Sequence, residues 1–237
     1  MKISNIHSHI VPCIDDGAEN MTVAMNMIDM EYNQGTRLLV CSSHNGYSKE
    51  YVDGYLRNFQ KLQEKVKEKY PYMTLLPANE VYCGKEDIDE IIYLLSAGEI
   101  LSINNTKYVL TEFSPFIPLE NARYVINRLL SAGWIPVIAH LERYFYLYNE
   151  EFLKDIIEKG VLIQCNLFSF ADESSAEIKR RARMLLENKY IHFVGSDCHS
   201  DTWRSPSLSS GAEYILENAP SEYAENILSL NAKSLFL

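Results

Sequence analysis

The sequence predicts an α/β protein built on a parallel sheet, either closed as a barrel or open and doubly wound. Three observations point there. Short β-rich runs alternate with longer stretches of helical period. The runs are apolar almost throughout, as strands covered on both faces must be. No Pro/Gly/Ser-rich linker or repeat of fixed period breaks the alternation. A chain of 237 residues can bury most of its apolar surface in one core, so one domain over 1–237 is expected.

The first strand is expected over 2–6 (KISNI), followed by a turn at Asp15-Asp16-Gly17 and a helix from about residue 20 that stops near Gly35. The second strand spans 37–41 (RLLVC). The clearest helix covers 51–70, where Leu56, Phe59, Leu62 and Val66 recur at three- and four-residue spacing with charge on the other face. Strands over 74–80 (TLLPANE) and 108–112 (YVLTE) follow. A helix over 119–132 ends before Gly133, where a left-handed cap is needed. The strand 135–139 (IPVIA) leads to a helix over 150–159 that ends before Gly160, then to the strand 161–166 (VLIQCN). The helix over 174–189 opens with Ser and Glu placed like a capping box, and the last strand is 191–196 (IHFVGS).

A formal net charge of −10 argues against a nucleic-acid partner, because a phosphate backbone calls for a Lys/Arg-rich face. It suits bound cations better. The N-terminus lacks a basic segment followed by an apolar core, and no apolar run reaches the length of a membrane span, so a soluble, cytoplasmic chain without membrane insertion is expected. Nothing in the sequence specifies oligomeric state. The five cysteines, at 13, 41, 83, 165 and 198, are odd in number and lie mostly in or near apolar runs, which reads as reduced, buried thiols rather than a disulfide frame or zinc ribbon.

In either form of parallel sheet the active site lies at the carboxyl ends of the strands. His7 and His9 follow the first strand and His44 the second; Glu80 ends the third and Glu112 the fourth; His140 follows the fifth, and Asp197 with His199 the last. Of the six histidines only His192 lies at a strand start, which reads as structural. In His7-Ser8-His9 the i, i+2 spacing puts both imidazoles on one face of an extended segment, and Asp197-x-His199 does the same. Glu80 and Glu112 end apolar strands with no obvious cation partner, and pairing with a divalent ion would remove the cost of burying them. His, Asp and Glu without Cys suit Mn, Fe or Zn, and so many donors imply two or three ions. Asp15 and Asp16 form an Asx-type turn or supply one further ligand.

Taken in order, HSHIVPCIDDGA, SSHNGY, ANEVY, LTEFS, IAHLERY and GSDCHS resemble the polymerase-and-histidinol-phosphatase superfamily of metal-dependent phosphoesterases. Within it they are most similar to the protein-tyrosine phosphatases of bacterial capsular and exopolysaccharide operons. The resemblance runs from residue 3 to about 206. It implies a distorted (β/α)7 TIM-like barrel with three divalent ions, often manganese, with iron, zinc or magnesium as alternatives. Carried over by position, one ion is held by His7, His9, Glu80 and Asp197, a second by Glu80, Glu112 and His140, and a third by Asp16, His44 and His199, with Asp15 able to exchange with Asp16. Arg143 and Arg204 match the positions that hold substrate phosphate. Cys13, Leu141 and Asn45 depart from the pattern; Asn45 stands where a basic or second histidine residue is common.

The resemblance implies hydrolysis of phosphotyrosine by activated water, on the tyrosine-rich tail of a kinase that controls polysaccharide export. A phenolate of pKa about 10 leaves readily, with His199 or His44 available as proton donor if not committed to metal. A small-molecule phosphatase such as a histidinol phosphatase would share the ligands and differ at the rim, where Tyr47, Tyr82, Phe116, Tyr144 and Phe145 could stack on a phenyl ring. A catalytically silent binding barrel would have no need of the buried carboxylates. GSDCHSDTWRS also contains Cys198-x5-Arg204, the spacing of a cysteine phosphatase, but an acid at Asp201 and the bulky Trp203 are foreign to a phosphate-cradling loop.

Overall fold

Seven parallel strands close on themselves in sequence order, which decides between the two sheets the sequence allows. The computed structural model describes residues 2–237. The strands are β1 (Ile3–Asn5), β2 (Thr36–His44), β3 (Thr74–Tyr82), β4 (Tyr108–Glu112), β5 (Ile135–Ile138), β6 (Leu162–Asn166) and β7 (Phe193–Gly195). Between them run α1 (Met21–Asn33), α2 (Lys49–Lys69), α3 (Ile88–Ala97), α4 (Leu119–Ser131), α5 (Glu150–Glu158) and α6 (Ala176–Glu187). After β7 come α7 (Ser209–Asn218) and α8 (Ser221–Glu225), then a π turn and α9 (Asn231–Phe236). The barrel is irregular at its closure. β1 has three residues and a register shift between Ile3 and Ser4, and it meets β7 through the pair Asn5↔Val194 and, beyond the strands, Ser8↔Cys198.

The two-residue period of the strands sorts their side chains. Leu38 and Val40 of β2, Leu76 and Ala78 of β3, Leu110 of β4 and Val137 of β5 form one cluster with Phe193 and, from the C-terminal helix, Phe236. The residues between them face the helices: Leu39, Cys41 and Leu75 pack with Ile28, Tyr55 and Phe59, whereas Val109, Ile138 and Ile163 join the larger cluster under α3–α7. Counting two residues on from Ala78 and Leu110 reaches Glu80 and Glu112. The carboxylates therefore continue the inward face, one layer above the apolar filling.

Helix boundaries follow local chemistry. Asn20 caps α1 by accepting from Thr22 N and Val23 N. Gly133 and Gly160 take φ of 88° and 87° just past α4 and α5, a region open to glycine at no steric cost. The expected capping box at the start of α6 is replaced by a simpler cap. Ser175, not Ser174, accepts from Ile178 N, and Glu177 pairs with Arg180 and Arg181. The helices α3 and α7–α9 have no counterpart in the sequence reading. All five cysteines are free, with only Cys13 exposed. Among the described residues no helix is long and apolar enough to cross a membrane.

Buried Tyr55 of α2 ties the helix layer to the barrel. Its hydroxyl donates to Cys41 O of β2 at 2.5 Å and accepts from Ala78 N of β3 at 3.2 Å. Tyr55→Phe keeps the ring but removes the partner of both groups, so it should lower unfolding free energy by about 1–3 kcal/mol. Urea denaturation should show a lower midpoint at unchanged slope.

Candidate metal centre

The upper ends of β1 and β7 are laced together by main chain. Asp197 N donates to His7 O at 2.8 Å and His9 N to Cys198 O at 2.9 Å, while Ser42 N from β2 donates to Ser8 O at 2.8 Å. Held extended in this way, His7 and His9 turn both rings inward and Ser8 turns outward, its hydroxyl donating to Val40 O. Across the seam Asp197 and His199 face the same centre, and Cys198 between them packs into the core cluster with Ile28 and Cys41. Three residues here have left-handed backbones, His140 at φ 32°, Asp197 at φ 53° and Arg204 at φ 50°. Non-glycine residues adopt that region only when their surroundings over-determine it.

Glu80 is the hub. Its Oε2 lies 3.2 Å from His7 Nε2, 3.1 Å from His9 Nε2 and 3.5 Å from His44 Nδ1, and its Oε1 lies 3.1 Å from His140 Nε2. His44 is its direct register partner across β2 and β3. Asp197 Oδ1 lies 3.5 Å from His7 Nε2 and 3.6 Å from His9 Nε2, so His7, His9, Glu80 and Asp197 surround one point at the buried base. His140 Nε2 is also 3.6 Å from Glu112 Oε1, and His44 shares a second group with Glu80 and Glu112. Asp16 Oδ1 lies 3.5 Å from both His44 Nε2 and His199 Nε2, which with His9 make a third group at the open rim.

The two neighbouring aspartates have different places. Asp15 Oδ2 accepts from His9 Nδ1 at 2.7 Å and from His44 N at 2.9 Å, and its Oδ1 accepts from Gly17 N, so it braces His9 from behind. Asp16 is the one aimed at the imidazoles. Gly17 is required beneath them, since a Cβ there would lie 2.1 Å from His9 O.

The donors fit divalent ions. With Nδ1 of His9 given to Asp15 and Nδ1 of His199 to Asp197 O at 3.0 Å, both rings offer Nε2 lone pairs to the centre. Burial pushes Glu80 up, but His7, His140 and His9 outweigh it and hold the carboxyl well below its ordinary range. Burial lowers His7 and His9, yet Glu80 with Asp197 for the first, and Asp15 with Glu80 for the second, leave both raised. Glu112 is pushed up to about 7 by burial and by the Glu80 carboxylate. Protons thus hold together a cluster that divalent cations would neutralise with better geometry. His199 is lowered to about 4 by burial and by His9, and His44 falls for the same two reasons. Both shifts favour the neutral imidazole that a divalent ion requires.

Arg143 Nη1 donates to Asp197 Oδ2 at 2.6 Å and Arg204 Nη2 to Asp197 Oδ1 at 3.0 Å. Both arginines line a cleft of about 640 Å³ together with Asn166, Phe168, Asp197 and Ser205. Of the expected rim aromatics, Tyr47, Tyr82, Phe116 and Phe145 are exposed, the last two stacked with ring centroids 5.2 Å apart. Tyr144 is not on the rim: it is buried, its hydroxyl accepting from Phe113 N. The cysteine-phosphatase spelling has no support. Cys198 is 1% exposed, and burial beside Glu31 lifts its thiol well above its ordinary value.

Sequence reasoning passed over Gln164 and Asn166, which touch His7 and Asp197 at 3.1 and 3.2 Å. The signal was there in VLIQCN: Leu162, Gln164 and Asn166 share the inward face by the same period that placed Glu80.

The chain matches the capsular polysaccharide synthesis family CpsB/CapC over residues 3–237. It is 30% identical to the tyrosine-protein phosphatase CpsB of Streptococcus agalactiae, over 98% of this chain and 97% of that protein. It is 32% identical to the tyrosine-protein phosphatase YwqE of Bacillus subtilis, over 98% of this chain and 90% of that protein. Its backbone superposes with a TM-score of 0.84, at 28% identity and over 99% of this chain and 94% of the other, on a crystal structure from a study of YwqE of Bacillus subtilis and CpsB of Streptococcus pneumoniae as metal-dependent tyrosine phosphatases.

The raised groups set a pH dependence. Stability from His7 and His9 is full below the ordinary value of 6.5 and is lost as pH rises through their raised values; that from Glu112 is full below 4.5 and lost through about 7. Metal-free protein should therefore melt at lower temperature at about pH 8.5 than at about pH 6.5. With added Mn²⁺ the trend should reverse, because protons compete with metal for the same atoms. Thermal melts followed by circular dichroism at both pH values, with and without Mn²⁺, check both signs.

Proposed function

This chain belongs to the CpsB/CapC family of capsular polysaccharide synthesis, and from that premise we propose that it is a metal-dependent protein-tyrosine phosphatase. The observation that carries the reading is the convergence of four imidazoles on the buried Glu80 carboxylate, beside a cleft that holds two arginines. We assign His7, His9, Glu80 and Asp197 to one ion, Glu80, Glu112 and His140 to a second, and Asp16, His44 and His199 to a third, with manganese as the metal. Bound there, the ions supply water of lowered pKa and Lewis acidity toward phosphate oxygens.

The chain's own part is positioning and charge. Each guanidinium has five N–H donors in a planar fork, so Arg143 and Arg204 can keep their bonds to Asp197 and still present donors to a phosphate dianion in the cleft. The half-exposed Phe168 ring lies in the same cleft, where the phenyl group of phosphotyrosine can pack against it. The phenolate product, of pKa about 10, departs without full protonation, which fits a centre whose peripheral histidines are neutral. An open rim with exposed Tyr47, Phe116 and Phe145 suits a peptide better than a small metabolite, so the substrate is read as a phosphotyrosine tail of a cytoplasmic kinase domain that governs polysaccharide export. Residues 1–237 are taken as one phosphoesterase unit.

Purified protein with Mn²⁺ should release phosphate from a phosphotyrosyl peptide and from p-nitrophenyl phosphate. Chelation and His9→Ala should each abolish this, while Cys198→Ala should retain it. Arg204→Ala should lower kcat/KM by about 10²–10³, the usual loss for one donor to a transition-state oxyanion. Activity that survives complete metal removal, or that depends on Cys198 and not on His9, would overturn the proposal.

A further inference from the structure

We propose that Gln164 is a positioning residue of the metal centre, one that sets the ring tautomer of His7, the backbone of His140 and the carboxylate of Asp197 together. The inference rests on the reading of these residues as metal ligands.

Gln164 rises from β6 on the inward face and is fully buried. Its Oε1 lies 2.8 Å from His140 N and 3.1 Å from His7 Nδ1. Its Nε2 donates at 2.7 Å to Asn166 Oδ1, and Asn166 Nδ2 donates at 3.2 Å to Asp197 Oδ2. Asn166 is itself fixed through its main chain, since Asn166 N donates to the buried Glu142 Oε1 at 2.9 Å.

The polarity of this chain of contacts follows from one atom. A backbone N–H can only donate, so the Gln164 atom facing His140 N must be the oxygen. The nitrogen then faces Asn166, whose nearer atom must be its oxygen, and this leaves Asn166 Nδ2 for Asp197. The same Gln164 oxygen meets His7 Nδ1, which must therefore carry a proton. His7 Nε2 is left with its lone pair toward Glu80 and Asp197, 3.2 and 3.5 Å away. The contact to His140 N also restrains a residue held at φ 32°, a conformation that needs external support.

Two further observations show that the site is shaped around this side chain. A Cβ on Gly195 would come within 2.6 Å of His7 Cβ and 2.8 Å of Gln164 Nε2, so β7 must pass here without a side chain. Glu142, buried in the turn after β5, accepts from Asn166 N at 2.9 Å and from Ser169 Oγ at 2.7 Å, so the residue that takes the Gln164 amide is anchored in its turn. Groups that hold metal-binding histidines by their second nitrogen commonly contribute about 10–100-fold in metal affinity or activity.

The test needs no turnover. Gln164→Met keeps the length and apolar bulk of the side chain but removes the amide, and Gln164→Glu keeps an oxygen for His7 and His140. In metal-free protein labelled with ¹⁵N-histidine, at alkaline pH where the rings are neutral, the native protein and Gln164→Glu should both show His7 as the Nδ1–H tautomer. Gln164→Met should show it mixed or inverted. Manganese titration followed by electron paramagnetic resonance should give a dissociation constant about 10–100-fold weaker in Gln164→Met. A folded Gln164→Met with native His7 tautomer or native Mn²⁺ affinity overturns the proposal. Should Gln164→Met fail to fold, loss of the Nδ1–H tautomer in Gln164→Glu overturns it equally. Because both readouts are free of substrate, a protein lacking phosphatase activity but showing these shifts would refute the proposed function and leave this inference standing.

Discussion

Much of this molecule follows from the cost of placing one carboxylate, Glu80, inside a barrel. An ion of that kind is expensive to bury unless charge of the other sign and hydrogen-bond donors surround it. Here the surroundings come from three strand ends: His7 and His9 after β1, His44 on β2 and His140 after β5. They are delivered by three different βα units, so the carboxylate can be satisfied only when those units are in register around it. The same condition makes the cluster a receptacle for cations.

The next layer of residues exists to keep the ligands pointing inward. Asp15 grips His9, the Gln164 and Asn166 amides grip His7 and Asp197, and the two arginines neutralise what remains of Asp197. These contacts also divide labour between the open and the closed side. His44 and Asp16 lie at the solvent edge, whereas His7, His9 and Asp197 are buried. Exchange of ions or substrate thus has a natural entrance that does not require the base of the site to open.

The strands and the residues that gather at their carboxyl ends were legible because they depend on short-range pattern. An apolar run with a histidine or acid at its carboxyl end is visible in one dimension, as YVLTE and IPVIAH show. The closure of the sheet was legible only through the family resemblance, which implied the seven-stranded barrel; Asn5 and Val194 pair across almost the whole chain and no local signal encodes that contact. Asp15 and Asp16 could not be told apart from sequence, because adjacent residues in a turn differ only in direction, which the turn geometry alone decides. Gln164 was missed because an amide in an apolar strand carries no charge to flag it. Tyr144 was misplaced on the rim by proximity to Arg143, although its hydroxyl in fact supports Phe113 inside.

The seam between β1 and β7 has a consequence for how the protein comes into being. Main-chain bonds across it join residues 7 and 9 to residues 197 and 198, so ligands from the first and last strands meet there. A chain emerging from the ribosome holds His7 and His9 from the start but cannot assemble their site until Asp197 and His199 have been made. A chain that stopped short of β7 would carry most of these side chains without the assembled cluster. In that sense the centre is withheld until the seventh strand has been made, and residues separated by almost the whole barrel in sequence converge on one cluster of imidazoles and carboxylates.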